Sequence, residues 1–303
     1  MATVTELRPG CAGVDVAPDP VAVRCTAPDA LSNLVAVLEL AADGQVRCGA
    51  ASRYPSASAV KLIEDVLVAG DYYEGGEPIA AFAWPLLILT AGLAQLAGNR
   101  LELTPRGRAV LAGPCYPALG ALWARWLRSV STDELSRIEA IKGQRRPSTL
   151  TPAVGRRAAV AAALAALEPG VWTDIEELFW LLRTRRPPLV AARSLMALWR
   201  LYIADSYYGS LGHAGHRAWG IVEGRYALCV LFEYAATAGL IDVAYAGPCG
   251  ARDDYRVLWG ADQYAYLSRY DGLVAVRVNR LGAAILHDPG ALPGIGLPVP
   301  RRG

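Results

Sequence analysis

The stretch from Gly92 to Leu111 constrains the fold most, because its pattern returns near the far end of the chain. Laying Gly107 on Gly282 puts Leu101, Leu103, Thr104, Ala109, Val110 and Leu111 on Val276, Val278, Asn279, Ala284, Ile285 and Leu286. The approach to the pattern matches too. Gly92-Leu93 closes a long apolar run in the first copy, and Gly239-Leu240 closes one in the second. Each copy reads as a helix ended by glycine, a pair of strands, and a polar N-cap that opens a short helix. A chain of 303 residues has room for two modest domains of this kind.

Composition supports a packed protein. Hydrophobic residues make up 53% and charged residues 19%, enough apolar material for a core and too little charge to sustain long disorder. The formal charge is +2, so nucleic-acid contact would have to come from local clusters. Cysteines at 11, 25, 48, 115, 229 and 249 form no closely spaced pair and read as reduced, mostly buried small hydrophobes of a cytoplasmic protein. The uncharged run from Pro78 to Asn99 is about long enough to span a bilayer. Pro85, Thr90, Gly92, Gln95 and Gly98 interrupt it, and an alternating strand follows, so a buried helix is expected and no membrane contact.

Periodicity divides the chain into five parts. Residues 1–28 form a Pro- and Gly-rich lead-in, and 29–141 a first domain opened by a helix capped at Asp29 and stopped at Gly44. Ser56 or Ser58 caps a second helix. Tyr116 to Leu127 makes an amphipathic helix whose Trp123 and Trp126 suit helix packing better than base stacking. Ser131 to Leu135 signals a helix running to Ile141. Residues 142–157 read as a basic linker, where periodicity lapses and prolines and glycines accumulate. Residues 158–287 form a second domain, with an Ala-rich helix to 167, a helix capped by Thr173, and another from Leu189 to Ile203. Its apolar helix runs from Arg225 to Ala238, and its strand pair is enlarged by an insertion from Ala246 to Asp271. Residues 288–303 form a Pro-rich tail.

The layout is mainly α with small β wings, and it resembles two winged-helix domains in tandem. Residues 92–111 and 239–286 are similar to the winged-helix modules that accompany superfamily-two helicases of the XPB type in actinobacteria. The likeness rests on the Gly-Leu at the helix end, the alternating strand, and Thr104-Pro105 leading through Arg106, Gly107 and Arg108 into a helix. It implies attachment to nucleic-acid machinery, with DNA and a helicase or other nucleic-acid enzyme as partners. No glycine-rich phosphate loop ending in Lys-Ser or Lys-Thr is present, so the chain is no motor by itself.

Catalytic and metal-binding patterns are weak. His213 and His216 would need Asp205 or an acid of the 246–271 insertion to complete a metal site, and they read more simply as loop histidines. His287 at a helix end suits the helix dipole, as does Glu176-Glu177 in an opening turn. With no nucleophile elbow and three histidines, neither an enzyme nor a cofactor is expected. The helix before each strand pair, which in a groove reader carries polar side chains to base edges, has no charge in the first copy and only Arg225 and Glu233 in the second. DNA contact would therefore fall to phosphates, through Arg106, Arg108, Lys142, Arg145, Arg146, Arg156 and Arg157. The expected role is a non-catalytic adaptor in a nucleic-acid process. The alternatives are an interaction or dimerisation scaffold without nucleic-acid contact and, more remotely, a hydrolase with a site between 205 and 271.

Overall fold

The computed structural model describes residues 20–73, 75–145 and 149–287. The protein is mainly α with small antiparallel sheets. Strand β1 (Ala22–Arg24) leads into α1 (Thr26–Ala42), α2 (Ala57–Val66), α3 (Ala80–Thr90), the hairpin β2 (Ala94–Ala97) and β3 (Arg100–Leu103), then α4 (Pro105–Ala112) and α5 (Tyr116–Arg128). The remainder is α6 (Ala153–Leu164), β4 (Trp172–Asp174), α7 (Ile175–Thr184), the single turn α8 (Leu195–Leu198), a long helix α9, strands β5 (Ile241–Tyr245) and β6 (Leu273–Val278), and α10 (Arg280–His287). In α9 the α-helical Arg225–Cys229 is flanked by π-helical turns at Gly220–Gly224 and Val230–Ala236.

The duplicated pattern folds the same way twice, down to individual hydrogen bonds. At the helix end Gly92 and Gly239 take φ values of +68° and +79°, the left-handed region open to glycine. The amides of Leu93 and Leu240 then reach back to the carbonyls of Ile88 and Ala235, each at 2.9 Å, closing the helix terminus. After the strands, Thr104 and Asn279 cap the next helix, accepting from the Gly107 amide at 3.2 Å and the Gly282 amide at 2.9 Å. The same caps donate to the carbonyls of Gly92 (2.7 Å) and Gly239 (2.9 Å), tying the two helix ends together. A third segment joins each hairpin: the Leu101 amide donates to the Val46 carbonyl in the first, and β4 pairs antiparallel with β6 in the second. Both halves therefore run helix, short extended segment, helix, buried helix, two strands, helix. The second carries insertions between α7 and α9 and between β5 and β6.

The two halves share one continuous core. Residues 80–88 of α3 are all buried, as the missing charge requires, and every residue of α9 from Ile221 to Ala236 is buried too. These two helices pack against each other. Among the described residues the buried arginines are ion-paired. Arg137 bridges the two helices: its guanidinium lies 3.5 Å from the Phe82 ring centroid, donates to the Pro78 carbonyl at 3.0 Å, and binds Glu233 of α9. Tyr270 donates to the same carboxylate. Arg225 is held by Asp271 at 3.1 Å and by Asp254 at 2.5 Å. The indole of Trp126 stacks on Tyr234 at 4.6 Å, so both tryptophans of α5 are core residues. Strand β1 adds to the outer edge of β5, giving a sheet of order β1-β5-β6-β4, and the Thr26 amide donates to Asp242.

Several local expectations are corrected. Helix α1 begins at Thr26, and Asp29 pairs with Arg24 at 2.9 Å instead of capping. Asp174, one residue beyond Thr173, caps α7. Only a 3-10 turn at Glu134–Arg137 forms where a helix to Ile141 was expected, because Glu134 and Arg137 are drawn inward by buried partners. Between Leu189 and Ile203 the chain is extended around α8, since its backbone pairs with residues 142 and 149–151. Cys25 and Cys249 are exposed, while Cys48 and Cys229 are buried; burial pushes the Cys48 thiol up to about 11. No helix among the described residues is long and apolar enough to cross a membrane. Residues 1–19 of the 1–28 lead-in, with Cys11, and the tail from 288 lie outside the described residues.

Candidate nucleic-acid interface

Arginines fall into two populations. One is buried and spoken for. Arg156 and Arg157, expected at phosphates on a solvated linker, are instead 2% and 0% exposed. Helix α6 starts at Ala153, so both project from its first turn into the core. Arg157 donates to Glu134 at 2.6 Å and to the carbonyls of Trp126, Ser129 and Thr132, gathering the end of α5 and the turn after it. Arg156 binds Asp133 at 2.5 Å and lies over the Tyr226 ring. A guanidinium already desolvated and ion-paired inside the fold cannot also reach a phosphate. These two residues leave the set, and residues 149–157 are no free linker, because Thr151 bonds the Ala191 backbone at 2.8 Å.

The second population is exposed. Arg106 and Arg108 stand on the first turn of α4, held outward by the Thr104 cap, with Pro105 preset for the helical first position. Arg108 donates to the Leu103 carbonyl at 2.7 Å and lines an open cavity beside the hairpin. That cavity mixes Arg100 and Arg108 with Asp43 and Glu102, so its own charge is nearly balanced.

Lys142 and Arg145 are exposed on a turn fixed from both sides. The Lys142 amide donates to the Tyr202 carbonyl at 2.8 Å, and the Gln144 side chain donates to the carbonyl of Ile141 at 2.7 Å. Gly143 has φ +84°, and a β-carbon there would lie 2.0 Å from the Arg200 carbonyl oxygen. The turn is therefore pressed onto the Arg200–Leu201 backbone, which brings exposed Arg200 beside Lys142 and Arg145. No local motif marks Arg200, because the adjacency comes from a close glycine contact across 57 residues of sequence (200 minus 143). Arg146 lies outside the described residues.

None of Arg106, Arg108, Lys142 and Arg145 forms an ion pair with a described residue. By contrast Arg24, Arg137, Arg156, Arg157, Arg225, Arg252, Arg269 and Arg277 are all paired.

Of the paired histidines, His213 is engaged locally. His213 Nε2 meets the Tyr207 carbonyl at 3.2 Å and its ring packs edge-on against Trp199. Among the described residues no three His, Cys, Asp or Glu side chains converge as metal ligands would. Glu176 of the acidic pair binds Arg252 at 2.9 Å, and Asp254 binds Arg225. No protein-family model, curated protein or solved structure matches the chain.

Proposed function

We propose that the protein is a non-catalytic adaptor of two winged-helix-like units that binds nucleic acid through phosphate contacts. The observation that carries the reading is the split among its cations. Those inside the fold are paired, while Arg106, Arg108, Lys142 and Arg145 are exposed without a carboxylate partner among the described residues. An exposed unpaired cation is available to a phosphate at little desolvation cost, whereas a buried paired one is not. The helices that would enter a groove, α3 and α9, are buried against each other. Binding of this kind is independent of base sequence and leaves other surfaces for a protein partner such as a nucleic-acid enzyme.

The test is the affinity for a labelled duplex as a function of salt. Four phosphate contacts give a log–log slope of about −3 to −4, and changing the four cations to alanine abolishes it. Absence of binding at about 50 mM salt overturns the reading and leaves the rival, a protein-interaction scaffold without nucleic-acid contact.

A further inference from the structure

The segment 199–213 and the turn 257–260 hold a cluster of aromatic rings out in water. Trp199, Tyr207, Tyr208 and Trp259 are 47%, 72%, 60% and 62% exposed. They are contiguous. Tyr207 and Tyr208 stand edge to face at 5.0 Å, Tyr208 meets Trp259 at 5.8 Å, and Trp199 contacts His213, which in turn meets the Tyr207 carbonyl.

The loop that carries them is fixed, which removes the ordinary explanation that mobile side chains have drifted outward. The Asp205 carboxylate accepts from the amides of both Tyr207 and Tyr208 at 2.8 Å. Ala204 takes φ +57°, a left-handed conformation that a side-chain-bearing residue adopts only when its surroundings impose it. Gly209 lies so close to the Ile203 carbonyl oxygen that a β-carbon would come within 1.9 Å of it, and one on Gly212 would enter the Trp199 ring. Gly260 packs beside Ala204, coupling the Trp259 turn to the loop. Conformational strain and close backbone packing are thus maintained to present rings that gain nothing from burial, the signature of a preorganised binding surface.

Charge identifies the occupant. Lys142 sits one strand spacing from this loop, with Arg145 on the same turn, because Lys142 pairs with Tyr202, which itself bridges Ser210. Arg200 is adjacent and Arg256 immediately precedes the Trp259 turn. The Asp205 carboxylate is turned onto the amides of Tyr207 and Tyr208, and the exposed acids nearby, Asp253 and Asp262, are outnumbered by the exposed cations Lys142, Arg145, Arg200 and Arg256. A second copy of this chain would bring the same cations face to face. Unpaired bases instead offer flat apolar faces for the rings and phosphates for the cations.

We infer that Tyr207, Tyr208 and Trp259, with Lys142 and Arg145 at their edge, form a stacking site for a single strand of nucleic acid. The inference rests on the nucleic-acid reading above and adds the form of the ligand.

The experiment compares a labelled oligothymidylate of about 20 nucleotides, several times the span one small stacking surface covers, with a duplex of equal length. The full chain should bind the single strand more tightly and show tryptophan fluorescence quenching. Tyr207→Ala, Tyr208→Ala and Trp259→Ala should each weaken single-strand binding by roughly 5-fold or more, with Trp259→Ala also reducing the quench. Duplex affinity and thermal melting should stay unchanged, since all three side chains are exposed. Trp180→Ala, an equally exposed indole on α7, should bind as the unsubstituted protein does. Salt-dependent duplex binding with no preference for the single strand overturns this site alone; loss of both binding modes overturns the wider reading. Equal losses in Trp180→Ala also overturn it, as does self-association of the protein that the aromatic substitutions abolish.

Discussion

Replacing Gly107 by alanine should destabilise the protein, and replacing Gly282 should do the same, because the two glycines hold equivalent places in the duplicated unit. A β-carbon would lie 2.1 Å from the Leu93 carbonyl oxygen at Gly107 and 1.8 Å from the Leu240 carbonyl oxygen at Gly282. Contact normally begins near 3.5 Å, so the helix must withdraw by more than 1 Å. The obstructing atom is backbone and cannot rotate away. The same carbonyls accept the amides of Thr104 at 3.0 Å and Asn279 at 3.3 Å, so withdrawal also loosens the cap. Overpacking costs about 1–3 kcal/mol and a lost cap about 1 kcal/mol, while alanine returns up to about 1 kcal/mol of helix propensity. The net expectation is about 1–3 kcal/mol for each, or roughly 2–12 °C in Tm. Gly155 is the control: it lies inside α6 with nothing within 4 Å of its missing β-carbon. There the same substitution should stabilise by about 0.5–1 kcal/mol. Urea and thermal denaturation followed by circular dichroism measure all three. If Gly107→Ala and Gly282→Ala match the unsubstituted protein, or if Gly155→Ala is the most damaging, the close-approach reasoning is wrong.

Two further outcomes follow from the buried charges. Arg157→Met strands the Glu134 carboxylate in the core and releases three carbonyls, and should cost about 3–5 kcal/mol in urea unfolding. Adding Glu134→Leu should recover part of that loss; a neutral single substitution would contradict the pairing. Burial raises the carboxyl of Glu223 above its ordinary value, outweighing the amides of Ala191 and Ala192 that it accepts at 2.8 and 3.2 Å. A carboxyl with a raised folded pKa binds more protons in the folded state, so its contribution is full below the unfolded pKa and is lost as pH rises through the folded one. Relative to Glu223→Gln, stability should therefore fall with rising pH across that window, by at most about 1.4 kcal/mol per unit. An equal slope in both proteins, or one of opposite sign, would show that Glu223 does not carry the effect.

Much of the local architecture was legible in the chain itself. The glycine that ends each helix, the polar cap twelve or forty residues later (104 minus 92, 279 minus 239), and the glycine three positions beyond are requirements of backbone geometry. Only particular residue types meet them, so they appear as a pattern. The same holds for α3, whose eleven residues carry no charge and of which the first nine are buried.

What tertiary structure alone decided was the fate of the charges and of the exposed rings. Arg106 and Arg157 look alike as letters, each in an arginine-rich stretch near a proline. One stands in water on α4, and the other is sealed among Glu134, Trp126 and Thr132. Pairing partners such as Arg137 with Glu233 lie 96 residues apart, and no local rule links them. Likewise Tyr207, Tyr208 and Trp259 meet at one surface because Asp205, Gly209 and Gly260 bring two distant loops together. Helix ends and buried faces are dictated by short-range sterics and solvent exclusion, which sequence displays. The partner of a long polar side chain depends on which distant elements the core brings alongside it, and only the folded chain specifies that.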